Sequence, residues 1–281
     1  MIIYRTRHSH LRLVDLWGFF VFSHGWTWGW WGLLIAYDLP VWDSWDGMAL
    51  LGLGGLGLPL GALVMKGREA GWAGLRNLGR RLVQPGRIGG RWWIVVLLLM
   101  PTVKLNAGLF AALSGATPAP FDLAVVTELI QQPEALLSRL GFLLLLGPLP
   151  EEIGWRGYLL DRLRRQYSAL GASLVLGLAW WVWHVPLLFV TGYYARAGGP
   201  PDLLLFGVML LLVSVLYTWI HEHTERSILA AILFHFSINA AGELLNAAPS
   251  VAVYEMGLTT GLVLFVLWRW AARPPPASTR H

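Results

Sequence analysis

Read for the spacing of apolar and polar positions, the chain is a series of long apolar runs joined by short polar connections. The runs do not alternate with a period of two, and most carry no charged face. They stay apolar on all sides for about 20 residues, the length of helix that crosses a bilayer. Eight runs can be marked, at 16–37, 47–65, 92–113, 136–160, 169–190, 203–220, 228–245 and 251–270. Barrel strands would alternate apolar with polar positions, so strands are not expected. The pattern predicts an all-α fold, a polytopic bundle of transmembrane helices.

The connections test that count. Arg5, Arg7 and Arg12 precede the first run, and seven basic residues from Lys66 to Arg91 separate the second from the third. Arg162, Arg164 and Arg165 follow the fourth, Arg226 the sixth, and Arg273 and Arg280 the eighth. The other connections carry Asp38, Asp43, Asp46, Asp122, Glu128, Glu134 and Asp202, with Arg196 as their basic residue. Basic and acidic loops therefore alternate. By the positive-inside rule both termini face the cytoplasm, which an even number of spans allows and an odd number does not.

Composition agrees. Of 281 residues, 56% are hydrophobic and 13% charged, about half the charged share of a soluble domain. The net charge of +5 is spread through the loops instead of forming a patch, so nucleic acid is not an expected partner. There is no Cys, which excludes disulfides, thiol nucleophiles and lipidated thiols. No small-residue cleavage site follows the first run, which is expected to remain as an anchor. Trp42, Trp45, Trp92, Trp93, Trp268 and Trp270 suit membrane interfaces. Trp26, Trp28, Trp30 and Trp31 fall in mid-span, where packing is the plain reading. The pairs Gly25/Gly29 and Gly57/Gly61 predict close helix approach. Pro274–276 end the last helix, leaving 274–281 as a disordered tail. Neither an internal repeat nor a second domain is visible, so 1–281 reads as one integral membrane domain.

An ionisable side chain inside a span costs roughly 2.5–3.5 kcal/mol on insertion scales, so each asks for a reason. The fourth run reads GPLPEEIGWRGYLL. Glu152 and Arg156, one turn apart, share a face in the favourable order and predict an ion pair. Glu151 points about 100° away and is left to face something else. The fifth run holds His184 with Trp180 one turn before it, and the seventh holds His235 with Asn239 one turn after. Each alone is commonly helix packing. Depth joins them. Counting from the cytoplasmic ends, Glu151 lies about 15 Å deep, His235 about 12 Å, Asn239 about 18 Å and His184 about 22 Å, with Arg156 shallower at about 7 Å. If those faces converge, a carboxylate, two imidazoles and a carboxamide meet in a dry pocket, a set that can activate water and stabilise an oxyanion.

The strings EEIGWR at 151–156, WWVWH at 180–184 and HFSIN at 235–239 resemble the three motifs of the CPBP family, the CAAX proteases and bacteriocin-processing (Abi) proteins. The resemblance covers roughly 140–245, with the motifs within 148–245, and departs only in having Trp180 where Phe is usual. It extends to a bacterial branch of the family and implies an intramembrane peptidase acting on a peptide or protein substrate in the bacterial plasma membrane. Glu151 and His184 would activate water, Arg156 would hold Glu152, and His235 and Asn239 would form the oxyanion hole, with Trp180 near the substrate. CAAX tails or bacteriocin-like peptides are the substrates it suggests.

Other chemistries fare worse. His221-Glu222-His223 lacks the one-turn spacing that lets two histidines chelate zinc from one helix face, and reads as a solvated helix end. Tyr37-Asp38 has no partner aspartate motif, and Ser114-Gly115 has no evident histidine. No cofactor is expected. A zinc ion on Glu151, His184 and His235 is the alternative, ranked lower for want of supporting carboxylates. Outside protease chemistry, the alternatives are a catalytically idle scaffold or self-immunity protein, and a proton- or ion-coupled transporter. The missing inverted repeat weighs against the last.

Overall fold

A computed structural model describes residues 13–195 and 199–272. The basic residues Arg5, Arg7, Arg12, Arg196, Arg273 and Arg280, and the expected tail at 274–281, lie outside them. The described residues form helices α1 (Leu13–Ala36), α2 (Trp45–Gly55), α3 (Gly57–Val83), α4 (Gly90–Leu113), α5 (Ala124–Gln131), α6 (Glu134–Leu146) and α7 (Pro148–Gly154). A π-helical turn, Trp155–Leu159, leads into α8 (Leu160–Leu163). There follow α9 (Ala169–His184), a 3-10 turn (Val185–Phe189), α10 (Leu203–His223), α11 (Ile228–Leu245) and α12 (Val251–Ala271). Phe121 and Ala247 form an isolated antiparallel bridge. The chain is an all-α polytopic membrane bundle.

Six stretches are long and apolar enough to cross a membrane: Trp45–Val83, Gly90–Leu113, Ala169–Phe189, Leu203–His223, Ile228–Leu245 and Val251–Ala271. They answer to six of the eight predicted spans. The remaining two are α1, whose Ser, His, Thr and Trp residues dilute its hydropathy, and the 136–160 run. That run was expected as one helix, and the structure corrects it. The helix breaks at Gly147 (φ −126, ψ −84) and restarts at Pro148. Pro148 and Pro150 bring no N–H, so the ladder cannot run through, while a Pro at the first position of a new helix costs nothing.

The mid-span tryptophans of α1 have a polar task. The Gly54–Gly55 pair and Pro59 interrupt the second span, because Pro59 cannot donate to the carbonyl one turn earlier. Carbonyls just before this interruption also accept hydrogen bonds from α1. Trp26 Nε1 donates to Leu53 O (2.7 Å), Thr27 Oγ1 to Gly54 O (2.7 Å) and Trp31 Nε1 to Leu51 O (3.1 Å). Trp28 Nε1 donates to Trp183 O, and Trp183 Nε1 to Thr27 Oγ1, which ties α1 to α9. The glycine pairs divide. A side chain at Gly57 would overlap Ser23 O and Thr27 Oγ1, whereas Gly25 and Gly29 have no neighbour within 4 Å. Only Gly57/Gly61 serve close approach.

Side-chain caps fix several helix starts. Ser168 accepts from Gly171 N, Asp202 from Leu204 N and Leu205 N, and Ser227 from Ala230 N. Pro186 ends α9 just past His184. In the bundle α10 lies along α9, α11 packs on α4, α6 and α7, and α3 packs on α7. The largest fully buried side chains include Trp31, Trp155, Tyr158, Tyr217 and Phe234, of which Trp155 and Tyr158 belong to the π turn.

Candidate active site

Three separate helices bring their polar groups to one cavity of about 360 Å³, lined by Gly147, Glu151, Trp180, His184, His235 and Asn239. The rest of its wall is mainly apolar, including Trp31, Leu51, Leu146, Trp183, Phe206 and Met209. Glu151 stands on α7 because the chain restarts at Pro148 after the break, which aims the first turn of a new helix inward. Its Oε2 accepts from Trp180 Nε1 at 2.7 Å. The Gly147 Cα carries no side chain, and a Cβ there would lie 3.5 Å from Asn239 Nδ2 and 3.8 Å from Glu151 Oε1. The chain at the break thus passes beside both groups at van der Waals distance.

Glu152 and Arg156 do not line the cavity; both are fully buried behind it. Arg156 Nη1 spans both Glu152 oxygens at 2.9 and 3.0 Å. The guanidinium sits over the Tyr217 ring at 3.7 Å and near the Trp180 ring at 4.8 Å. Its Nε and Nη2 have no hydrogen-bond partner, so these ring faces supply the remaining stabilisation. His235 Nδ1 donates to Glu152 Oε1 at 2.9 Å. Glu152 thus serves Arg156 and His235 together, where the sequence suggested Arg156 alone. Glu152 is the carboxylate behind His235, and pairing with Arg156 does not use it up.

His184 Nδ1 lies 2.8 Å from Trp180 O. A carbonyl only accepts, so Nδ1 carries the proton and the neutral ring keeps its lone pair on Nε2. Trp180 stands between the two histidines, with ring centroids 6.1 Å from His184 and 5.3 Å from His235.

Two comparisons with known proteins fall on this part of the chain. Residues 133–241 match the profile of the Rce1-like family, described as type II CAAX prenyl endopeptidase Rce1-like. Over 167 residues the chain is also 35% identical to CAAX prenyl protease 2 of Methanococcus maripaludis. Through this segment the chain is similar to the CAAX prenyl endopeptidases. The alignment takes in 58% of this chain and spans 60% of the length of that relative. Residues 133–241 contain all three motifs and Glu151, Trp180, His184, His235 and Asn239 of the cavity.

Within this segment and its surroundings, several partners were not foreseen. Tyr217 on α10 carries the ring that faces Arg156. Its signal is a lone phenol in a run otherwise almost wholly apolar. Asp161 is the next. It was passed over beside Arg162, Arg164 and Arg165, yet it is buried and paired with Arg81 (2.7 Å), Arg226 (2.6 Å) and Lys66 (3.6 Å). Burial alone would raise its carboxyl; the hydrogen bond from His221 and the charges of Arg81 and Arg226 outweigh this and hold it well below the usual carboxylate range. Arg162 is buried with Glu69 instead of solvated.

His221 is a further correction. It was read as part of a solvated helix end, but it is buried against Asp161 at 3.4 Å. His223 turns elsewhere, stacked on Trp92, because positions two apart leave a helix on different sides.

Arg81 links the Asp161 group to the site. Its Nη2 donates to Arg156 O (3.0 Å) and its Nη1 to Gly157 O (3.5 Å), two carbonyls of the π turn. A widened turn needs outside donors for the carbonyls it displaces.

For a metal, the relevant groups are Glu151, His184 and His235. Among the described residues no three His, Cys, Asp or Glu side chains stand close enough together to hold an ion. Trp180 Nε1 on Glu151 and the two Nδ1 bonds orient the three groups, as outer partners do both around a metal and in a metal-free site.

Proposed function

We propose that this protein is an intramembrane endopeptidase of the bacterial plasma membrane that works with a glutamate-activated water and no metal. The observation that carries the reading is the division of the two glutamates. Glu151 lines the cavity with one oxygen bonded to Trp180, while Glu152, its chain neighbour, is sealed behind it by Arg156 and His235. The similarity of residues 133–241 to the CAAX prenyl endopeptidases supports the class of reaction.

In this reading Glu151 takes a proton from a water held between it and His184 Nε2, and the water oxygen attacks the carbonyl carbon of a peptide bond. The tetrahedral oxygen gains its negative charge facing Asn239 Nδ2 and His235, whose Nδ1 bond to Glu152 fixes the ring. The C–N bond then breaks as Glu151 returns its proton to the leaving amine. Arg156 and Glu152 keep a balanced pair under the site, and Trp180 orients Glu151 while its ring forms part of the wall against which the substrate lies.

The test is cleavage of a peptide library by purified protein in detergent, with Glu151→Gln and His184→Ala as variants of matched stability. Loss of cleavage in both supports the reading. A fully active Glu151→Gln protein ends it. CAAX-like and bacteriocin-like peptides belong in the same library.

A further inference from the structure

A second, larger cavity of about 810 Å³ adjoins the first, sharing Trp42, Phe142, Leu143, Tyr193, Ile238 and Asn239 with its lining. Its own lining is different in kind. Asp122, Glu128, Glu243 and Glu255 face Lys104 and Arg139 there, four carboxylates against two cations. Both cations are already held. Lys104 pairs with Glu255 (2.9 Å), and Arg139 bridges Glu243 (2.7 Å) and Glu128 (2.9 Å). Glu243 stands near the far end of α11, the helix whose first residues lie by Arg226 and Asp161. The cavity is therefore at the end of the bundle opposite the basic cluster. Its rim is fixed by the Phe121–Ala247 bridge, with Asp122 N donating to Asn246 O and Ala248 N to Pro120 O.

Aromatic rings stand where the two cavities meet. Trp42 packs edge-on against Phe142 (5.9 Å) and stacked on Tyr193 (5.7 Å), and its Nε1 donates to Tyr193 O.

The geometry points to a two-part substrate site: the larger cavity is the subsite for a polar, neutral or basic flank of a peptide, and Trp42, Phe142 and Tyr193 form the neck leading to Glu151. This rests on the peptidase reading above and adds the direction of approach and the kind of peptide. The adjoining of the cavities carries it. The excess of carboxylates sets only the sign of the flank, since a basic segment gains from that field and an acidic one loses.

The test uses quenched-fluorescence peptides with one apolar core and three Lys or three Glu on either flank. For one of the two flanks, wild type should prefer Lys to Glu by about tenfold in kcat/KM, and Asp122→Asn/Glu128→Gln should reduce that ratio to about threefold or less. Asn at 122 can still cap Ala124 N, as Asp122 does. A binding measurement keeps the two readings apart. The chain has no Cys, so Val125→Cys in the larger cavity is the sole thiol in a Glu151→Gln protein. The Lys-flanked peptide should slow maleimide labelling there several-fold, and the Glu-flanked peptide should not. A Gln166→Cys control, exposed at the other end, should label at the same rate with either. Equal cleavage of both peptides by an active enzyme, or unprotected Val125→Cys, overturns the subsite and leaves the peptidase reading standing. Protection at Val125→Cys in a protein whose wild type cleaves nothing overturns the peptidase reading instead.

Discussion

The molecule holds two buried ionic groups of similar parts and different surroundings. In one, Glu152 is fully enclosed by Arg156 and His235. In the other, Asp161 is enclosed by Arg81, Arg226, Lys66 and His221. Each is a carboxylate with arginine and histidine, and either would look functional from its members alone. The difference lies beside them. Glu152 has a neighbour, Glu151, on a cavity wall, whereas no member of the Asp161 group lines either cavity. Asp161 meets an excess of cations, and what it joins is scaffold: α8, the end of α3, and the turn before α11. A buried ion group thus reveals its task through the next group outward and its access to a ligand, not through its own composition.

The sharpest way to break this comparison is at Glu151. Glu151→Gln should fold and insert normally while cleavage falls by about a thousandfold or more, and His184→Ala should fall comparably. Single-turnover peptide cleavage beside a thermal melt reads both quantities. Normal cleavage by Glu151→Gln, with Glu152→Gln well folded and inactive, would exchange the roles of the two glutamates.

At the other cluster the expected loss is in stability. Asp161→Asn leaves Arg81, Lys66 and Arg226 without their shared counter-ion and should cost about 3–5 kcal/mol, with activity declining only as the folded fraction does. The pH dependence follows from the sign of the shift. The folded carboxyl lies below its unfolded value, so its contribution is complete above about pH 4 and is lost as pH falls towards the folded value. Acid titration of the melting temperature should show that slope in the wild type and a shallower one in Asp161→Asn. Equal slopes would mean the aspartate is not what the cluster is built around.

Glu152→Gln sharpens the comparison, because Gln still offers an oxygen to His235 but leaves Arg156 uncompensated. Its stability should drop, and adding Arg156→Met should recover about 1–4 kcal/mol by removing the stranded charge. A double variant less stable than Glu152→Gln alone would show that the Tyr217 and Trp180 faces, not Glu152, are the main hold on Arg156. The smallest effect is expected from chelation. The purified active protein should carry no stoichiometric zinc and keep its rate in strong chelators. Activity lost to a chelator and restored by zinc would require Glu151, His184 and His235 to close around an ion.

Several readings of the chain rested on local spacing and describe the structure well. Glu152 and Arg156 pair across one turn, and Glu151 leaves the helix in another direction, because about 100° per residue is a property of any helix. The same rule separates His221 from His223. The partners of those residues were another matter. The mid-span tryptophans read as packing in the sequence, whereas Trp26 and Trp31 bond the carbonyls of Leu53 and Leu51 near the end of α2. The lining of the larger cavity was also open to sequence reasoning, since Lys104, Arg139, Glu243 and Glu255 are ionisable groups in or at the ends of predicted spans, each in need of a reason.

What the sequence determined by itself is therefore the all-α membrane class, most of the helices, and which polar side chains share a face within each. The lengths of the apolar runs and the helical repeat suffice for that, being local. Only the tertiary structure decided that the break at Gly147 sets Glu151 on a cavity, that Glu152 holds His235 as well as Arg156, that Arg81 bonds the π turn, and that His221 and Asp161 meet. Those outcomes depend on how helices far apart in the chain turn their faces to one another. Every carbonyl freed by a break must find a donor, and every buried charge a partner, from whichever helix the packing brings near.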